Sequence, residues 1–268
     1  MPSDERVHTN GCKKCAVYQQ KNWQNSNLIG YVNLSMYPAP CNAKCIYCNA
    51  HKSDYSEYFV KDTVKNAYES MFDAIDYMVD NDMVRPEALW QISSGEIAIH
   101  PYKDRILSVC RGKRCMFLTN CFIYDEQIGN NLSLNPKSSV NLSIDAGTSE
   151  TWHQIKGVDN FYGVVENLHK YHKQCLEDRQ ITLKYIILPG INDNNRDYMG
   201  VIDIMKSMGI KNLTIGRDSR TKYKITQDER KELIASAATL CMRLQENDIA
   251  FEINAYTADE QKQMNIYK

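Results

Sequence analysis

The sequence predicts an α/β protein, an open parallel barrel of six strand–helix units around a polar interior. Three observations lead there. Strand-like and helix-period segments alternate six times along the 268 residues, the pattern of a parallel sheet. Within the strands, apolar residues keep to one parity: Val32 and Leu34; Trp90 and Ile92; Val140, Leu142 and Ile144; Leu183, Tyr185 and Ile187; Leu213 and Ile215. The other parity is polar: Asn33 and Ser35; Gln91 and Ser93; Asn141 and Ser143; Thr182 and Lys184; Thr214. A doubly wound sheet, covered on both faces, carries apolar residues at both parities. A closed barrel fills its interior with bulky aliphatics. A polar inner face therefore belongs to a barrel left open around a polar ligand.

In order along the chain, residues 1–30 are polar and give no regular element, but they hold Cys12-Lys13-Lys14-Cys15. Residues 31–36 alternate apolar and polar and form the first strand. A cysteine-bearing loop follows to Cys48; Pro38, Pro40 and Asn42 keep it irregular to about Cys41. Val64, Ala67, Tyr68, Met71, Phe72, Ile75 and Val79 recur at helical spacing behind Asp62 as N-cap. The second strand covers about 88–93 and a helix about 101–111, with Pro101 at a tolerated first-turn position. The third strand covers 115–119, with a short helix near Asp125. The fourth covers 139–144, and its helix presents Phe161, Val164, Val165 and Leu168 behind Asp159-Asn160. The fifth covers 181–188 before a turn at 189–193; Tyr198, Val201, Ile202 and Met205 mark the next helix, stopped by Gly209. The sixth covers 212–215, and Leu233, Ile234, Ala237, Cys241 and Leu244 mark the last long helix. Residues 251–255 are extended but of no settled type. The expected organisation is an N-terminal extension (1–30), a barrel core (31–216) and a C-terminal helix and tail packing on it (217–268).

Composition narrows the function classes. With 32 basic and 33 acidic residues the net charge is −1, which gives no general pull toward nucleic acid or membrane. The N-terminus has no apolar signal region and no run of about 18 apolar residues exists, so a soluble cytoplasmic protein is expected. Ten cysteines in a chain this long, without a secretion signal, read as reduced thiols with some metal ligands rather than a disulfide scaffold. Cys110, Cys175 and Cys241 fall on or beside helices and read as small apolar fillers.

Cys41, Cys45 and Cys48 are spaced C-x3-C-x2-C. The same offsets describe a buried stripe on a helix, but the flanking prolines favour a loop. A loop that curls three thiolates inward can cap three irons of a [4Fe–4S] cube and leave the fourth iron open to another ligand. This spacing, with Tyr47 just before the last cysteine, resembles the signature of the radical S-adenosylmethionine (SAM) superfamily. The resemblance spans roughly residues 30–216. It implies a partial (β/α)6 TIM-like barrel of radical SAM type, with a [4Fe–4S] cluster on Cys41, Cys45 and Cys48 that chelates the amino and carboxylate groups of SAM. It further implies reductive cleavage of SAM to methionine and a 5′-deoxyadenosyl radical, which abstracts hydrogen from an unidentified substrate. An external electron donor such as flavodoxin or ferredoxin follows from that chemistry.

Shorter motifs extend the resemblance. Ser94-Gly95-Glu96 resembles the family's Gly-Gly-Glu motif, which holds the SAM amino group, with Ser94 in place of the first glycine. Ser143-Ile144-Asp145 looks like the S-x-D segment whose serine contacts SAM. Lys156 sits where many relatives carry an arginine near the SAM carboxylate; a lysine supplies the charge without the bidentate fork. Tyr47 would pack near the adenine, and Asn120 and Lys184 resemble positions that face substrate in some members. The family's glycine-rich strand-five motif is not recognisable, so the adenine contacts stay unassigned.

Other readings remain open on the residues alone. Cys12, Cys15, Cys45 and Cys48 form two C-x2-C pairs and suggest a tetrahedral zinc site, though 29 residues separate the pairs and Cys41 is left idle. A thioredoxin-like redox motif and a non-catalytic iron–sulfur protein are the remaining classes. Cys12 and Cys15 need outside ligands, and a second metal or cluster with Cys121 as partner is one expectation. Cys121, just past the third strand, reads either as a radical-quenching thiol or metal ligand, or as an ordinary buried thiol. Lys184 is costly to bury unless paired. It either projects into the lumen to bind a substrate carboxylate or phosphate, or pairs with Asp145 one strand away. The segment from Arg217 to Lys224 leaves the sixth strand at the same rim, either to hold an anionic substrate group or as a solvated loop.

Overall fold

The computed structural model describes residues 28–35, 39–48, 56–93, 95–218 and 225–264. Their centre is a seven-stranded sheet: β1 (Ile29–Ser35), β2 (Val84–Ser93), β3 (Cys115–Leu118), β4 (Ser139–Ser143), β5 (Ile181–Ile187), β6 (Asn212–Arg217) and β7 (Ala250–Ile253). The strands lie in chain order, each pair is parallel, and β1 and β7 do not meet. This is the open barrel that the strand parity predicts. The extended piece near 251–255 resolves as a seventh strand, with Phe251 opposite Leu213 and Ile253 opposite Ile215.

The parity argument explains where the core sits. Ala88, Trp90, Ile92, Phe117, Val140, Leu142, Leu183, Tyr185, Leu213 and Ile215 are each at most 1 % exposed and pack outward in one apolar cluster. The opposite parity stays more open: Gln91, Asn141, Ser143, Thr182, Lys184 and Thr214 are half-buried, and Asn33 is exposed. β2 begins earlier than expected, and its pairing with β1 shifts between Ile29 and Tyr31. Pro86 lies in that stretch and has no N–H to give the ladder, which suits a bulge.

Helices join the strands: α1 (Ser56–Phe59), α2 (Asp62–Asp80), α3 (Lys103–Cys110), α4 (Glu126–Leu134), α5 (Ser149–Lys156), α6 (Phe161–His172), α7 (Asn195–Met208), α8 (Gln227–Gln245) and α9 (Ala258–Gln263). The expected helix at 101–111 starts later because a 3-10 turn, Ile97–Ile99, precedes it. α5 and α9 were not legible from periodicity. Both carry capping signals: Thr148 accepts from Thr151 N, and Thr257 with Glu260 forms a capping box. Among the described residues no helix is long and apolar enough to cross a membrane.

Candidate active site

The loop carrying Cys41, Cys45 and Cys48 is clasped to the C-terminal rim of the barrel from two sides. Lys44 N donates to Lys156 O (2.8 Å) and Ile46 N to Ile155 O (2.9 Å), tying it to the end of α5. On the other side Glu96 N donates to Pro40 O (2.6 Å). Gly95 sits there at φ +65, and a Cβ on it would lie 2.3 Å from Pro40 O and 2.5 Å from Ala39 C. Only glycine combines that backbone with so close an approach. None of the three cysteines is in a disulfide, and all are partly exposed. Burial pushes the Cys41 and Cys45 thiols above the ordinary range.

Asn120 adds a third contact. Its Nδ2 donates to Asn42 Oδ1 (2.7 Å) and lies 3.7 Å from Cys41 Sγ, while Phe122 N donates to its Oδ1 (2.9 Å). Glu96 fixes this residue: Oε2 accepts from Asn120 N (2.6 Å), and Oε1 accepts from Thr119 Oγ1 (2.9 Å) and Ala98 N (3.1 Å). The carboxylate is fully buried, and burial raises its pKa despite those donors. Glu96 therefore braces the rim between β2 and β3. Ser94 lies outside the described residues.

Beneath the loop is a buried polar knot. Asp145, at a positive φ of 47, ends the β4 rim with no exposed surface. Its Oδ2 accepts from Tyr47 Oη (2.5 Å) and Lys156 Nζ (2.5 Å), and its Oδ1 from Ile186 N (2.6 Å). Lys156 Nζ also donates to Tyr47 Oη (2.7 Å) and Ser143 O (2.8 Å). An ammonium has three donors and all are used here. The expectation that Lys156 presents its charge to a ligand carboxylate thus meets a lysine already neutralised and sealed within the rim. Spacing gave no sign of this, because the pairing depends on α5 bringing Lys156 back beneath the loop.

Lys184 is not the partner of Asp145. It makes no hydrogen bond or ion pair with a described residue, and it lines a pocket of about 140 Å³ with Tyr47, Ile186, Gly216, Arg217, Asn254 and the acidic Asp218. Gly216 makes room for it, since a Cβ there would lie 3.1 Å from Lys184 Cε. Arg217 differs from the solvated reading of its segment. It is buried, with Nη1 2.9 Å from Glu260 Oε1 of α9 and its guanidinium over the Tyr256 ring.

Cys121 is a correction. At φ 57 its side chain turns into the apolar core with no exposed surface, and burial drives the thiol pKa far up. A sealed, protonated thiol serves neither as a radical quencher in the lumen nor as a partner for Cys12 and Cys15. Those two cysteines lie outside the described residues. Without Cys121, the second-metal expectation has no support in the described residues.

No group of three His, Cys, Asp or Glu side chains among the described residues converges on a single ion. A cluster makes a different demand, offering a separate iron to each thiolate. Three partly exposed cysteines on one clasped loop, none in a disulfide, fit it. A family model described as the radical SAM superfamily matches residues 39–202, which include this loop and rim. The chain belongs to the radical SAM superfamily. Members of that family use SAM, an iron–sulfur cluster and an external reductant. No curated protein matches in sequence.

Solved radical SAM structures agree in fold. Streptococcus suis SuiB bound to its precursor peptide SuiA aligns at TM-score 0.60 and 13% identity, over 94% of this chain and 61% of that one. SuiB bound to S-adenosylmethionine aligns at 0.58 and 13%, over 85% and 51%. A radical SAM methyltransferase from Sphaerobacter thermophilus aligns at 0.50 and 11%, over 83% and 64%. The chain spans about half to three fifths of the SuiB length.

Proposed function

We propose that this protein binds a [4Fe–4S] cluster on Cys41, Cys45 and Cys48 and cleaves SAM to begin hydrogen abstraction from a polar, anionic substrate in the open lumen. The observation that carries the reading is the clasped loop, which sets three cysteines outside any disulfide beside a polar interior. When bound, the cluster supplies the electron that splits SAM into methionine and a 5′-deoxyadenosyl radical.

The chain's own residues have distinct tasks. The 94–96 segment holds the SAM amino group, with the Glu96 carboxylate fixing that segment against Thr119 and Asn120. Ser143 contacts SAM, and the Tyr47 ring packs at the adenine. Asp145 and Lys156 act as positioning residues that hold Tyr47 and the loop. Asn120 donates toward Cys41 sulfur, where hydrogen bonding tunes a cluster's potential. Lys184 faces the lumen without a partner among the described residues and would bind a carboxylate or phosphate of the substrate. Residues 31–216 form the catalytic core, and 217–268 close its β6 side. A flavodoxin- or ferredoxin-type protein would deliver the electron.

Anaerobic reconstitution followed by iron, sulfide and zinc analysis tests the reading. About four irons are expected in the wild type and in Lys184→Ala, and a loss of most iron in Cys41→Ala, Cys45→Ala or Cys48→Ala. One zinc with no iron would overturn it in favour of the Cys12, Cys15, Cys45 and Cys48 site. Loss of iron in Lys184→Ala would make that lysine structural.

A further inference from the structure

The end of the barrel away from the cysteine loop, where β3, β4 and β5 begin side by side, holds a second concave site. Arg114, Pro136, Lys137, Ser138, Ser139 and Arg179 surround a pocket of about 360 Å³, within the range of small-molecule sites. Three of these residues are cationic and none is acidic. Arg114 and Lys137 meet no carboxylate among the described residues, while Arg179 Nε lies 2.9 Å from Glu177 Oε2 at the surface. Arg114 Nε is buried with no hydrogen-bond partner, a costly state for a donor unless an acceptor enters.

The loops around the pocket are built rather than loose. Asn131 Oδ1 accepts from Gly112 N (2.7 Å), and its Nδ2 donates to Lys113 O (3.2 Å). Gln180, with no exposed surface, donates Nε2 to Leu132 O (2.9 Å), Ser138 O (3.1 Å) and Asn135 O (3.2 Å). Asn135 closes the ring, donating Nδ2 to Gly112 O (3.1 Å) and accepting from Lys137 N (2.9 Å). Ser138 Oγ is spent on Lys113 O (3.0 Å) and Cys115 N (2.9 Å), which leaves Ser139 as the free hydroxyl. Buried amides thus hold three cation-bearing loops in one arrangement, which lowers the entropy lost when a ligand binds.

We propose that this pocket binds a phosphate-bearing small molecule through Arg114, Lys137 and Arg179, separately from the radical site. Two guanidinium forks suit a tetrahedral oxyanion with several acceptor oxygens, and three cations exceed what one carboxylate neutralises. A chain with net charge −1 and a concave, local cluster offers no extended track for a nucleic-acid backbone.

The test is calorimetric titration of the reconstituted protein with inorganic phosphate and with ribose 5-phosphate, at ionic strength held constant with sodium chloride. Saturable binding of at least one probe is expected, with a concentration-dependent rise in thermal midpoint. Tighter binding of the ester would assign the site to phosphate esters, and equal binding to phosphate itself. Arg114→Gln, Lys137→Gln and Arg179→Gln should each weaken binding about tenfold or more, as expected when a charge-assisted contact is lost. Lys137 and Arg179 are exposed, so their variants keep the test intact if Arg114→Gln fails to fold. Lys231→Gln, a charge loss on distant α8, should change nothing. Absence of saturable binding, or equal weakening in the Lys231 control, would overturn the proposal.

Discussion

At Asp145 one carboxylate serves three elements: Tyr47 of the cysteine loop, Lys156 of α5 and the Ile186 amide of β5. With Lys156 replaced by Met, that carboxylate would stay buried without its counter-ion, keeping only the Tyr47 and Ile186 hydrogen bonds. Breaking such a pair from one side costs about 3–5 kcal/mol. Lys156→Met should therefore lower unfolding free energy by that order in urea, before any ligand is added. A lysine that only met the SAM carboxylate would leave stability unchanged and alter SAM affinity alone, so unchanged urea stability would contradict the positioning role. The motif S-x-D was visible in the sequence, but its aspartate's partner was not. Lys184 is nearer in strand register, and only the fold of α5 selects Lys156 instead. Cys121 failed for a related reason: its place just past β3 was legible, whereas the left-handed φ that turns its thiol into the core was not.

Among the elements, the clasp between Gly95-Glu96 and the cysteine loop has the sharpest steric requirement. Gly95→Ala would drive a methyl into Pro40 and Ala39 backbone, and backbone atoms cannot swing aside as a side-chain tip can. The variant should keep its far-UV circular dichroism, because the strand core is untouched, yet retain well under half of wild-type iron on reconstitution. Full iron binding would show that the loop does not depend on this approach. The six expected strands all appear, since each buries one parity against helices and that alternation is written locally. β7 was legible only as an extended piece and α9 not at all, because their stability is tertiary: β7 is four residues long and borrows β6, and α9 is held through Glu260 paired with Arg217 and Arg230. α5 was hidden by its shortness, although Thr148 and Gly157 mark its two ends.

Over the whole molecule, strand parity specified an open barrel with apolar residues outward and polar ones inward, and the clasped loop places three thiols at the mouth of that interior. The spacing C-x3-C-x2-C was sufficient to suggest the family, whereas the buried knot behind it and the basic pocket at the far end emerge only in three dimensions. The central claim is that these thiols support SAM cleavage. The most direct measurement is 5′-deoxyadenosine formed by reconstituted, chemically reduced protein given SAM under anaerobic conditions. The account predicts 5′-deoxyadenosine and methionine in equal amounts from the wild type and neither from Cys45→Ala. A wild type that holds its iron and sulfide, is demonstrably reduced, and yields neither product would contradict it.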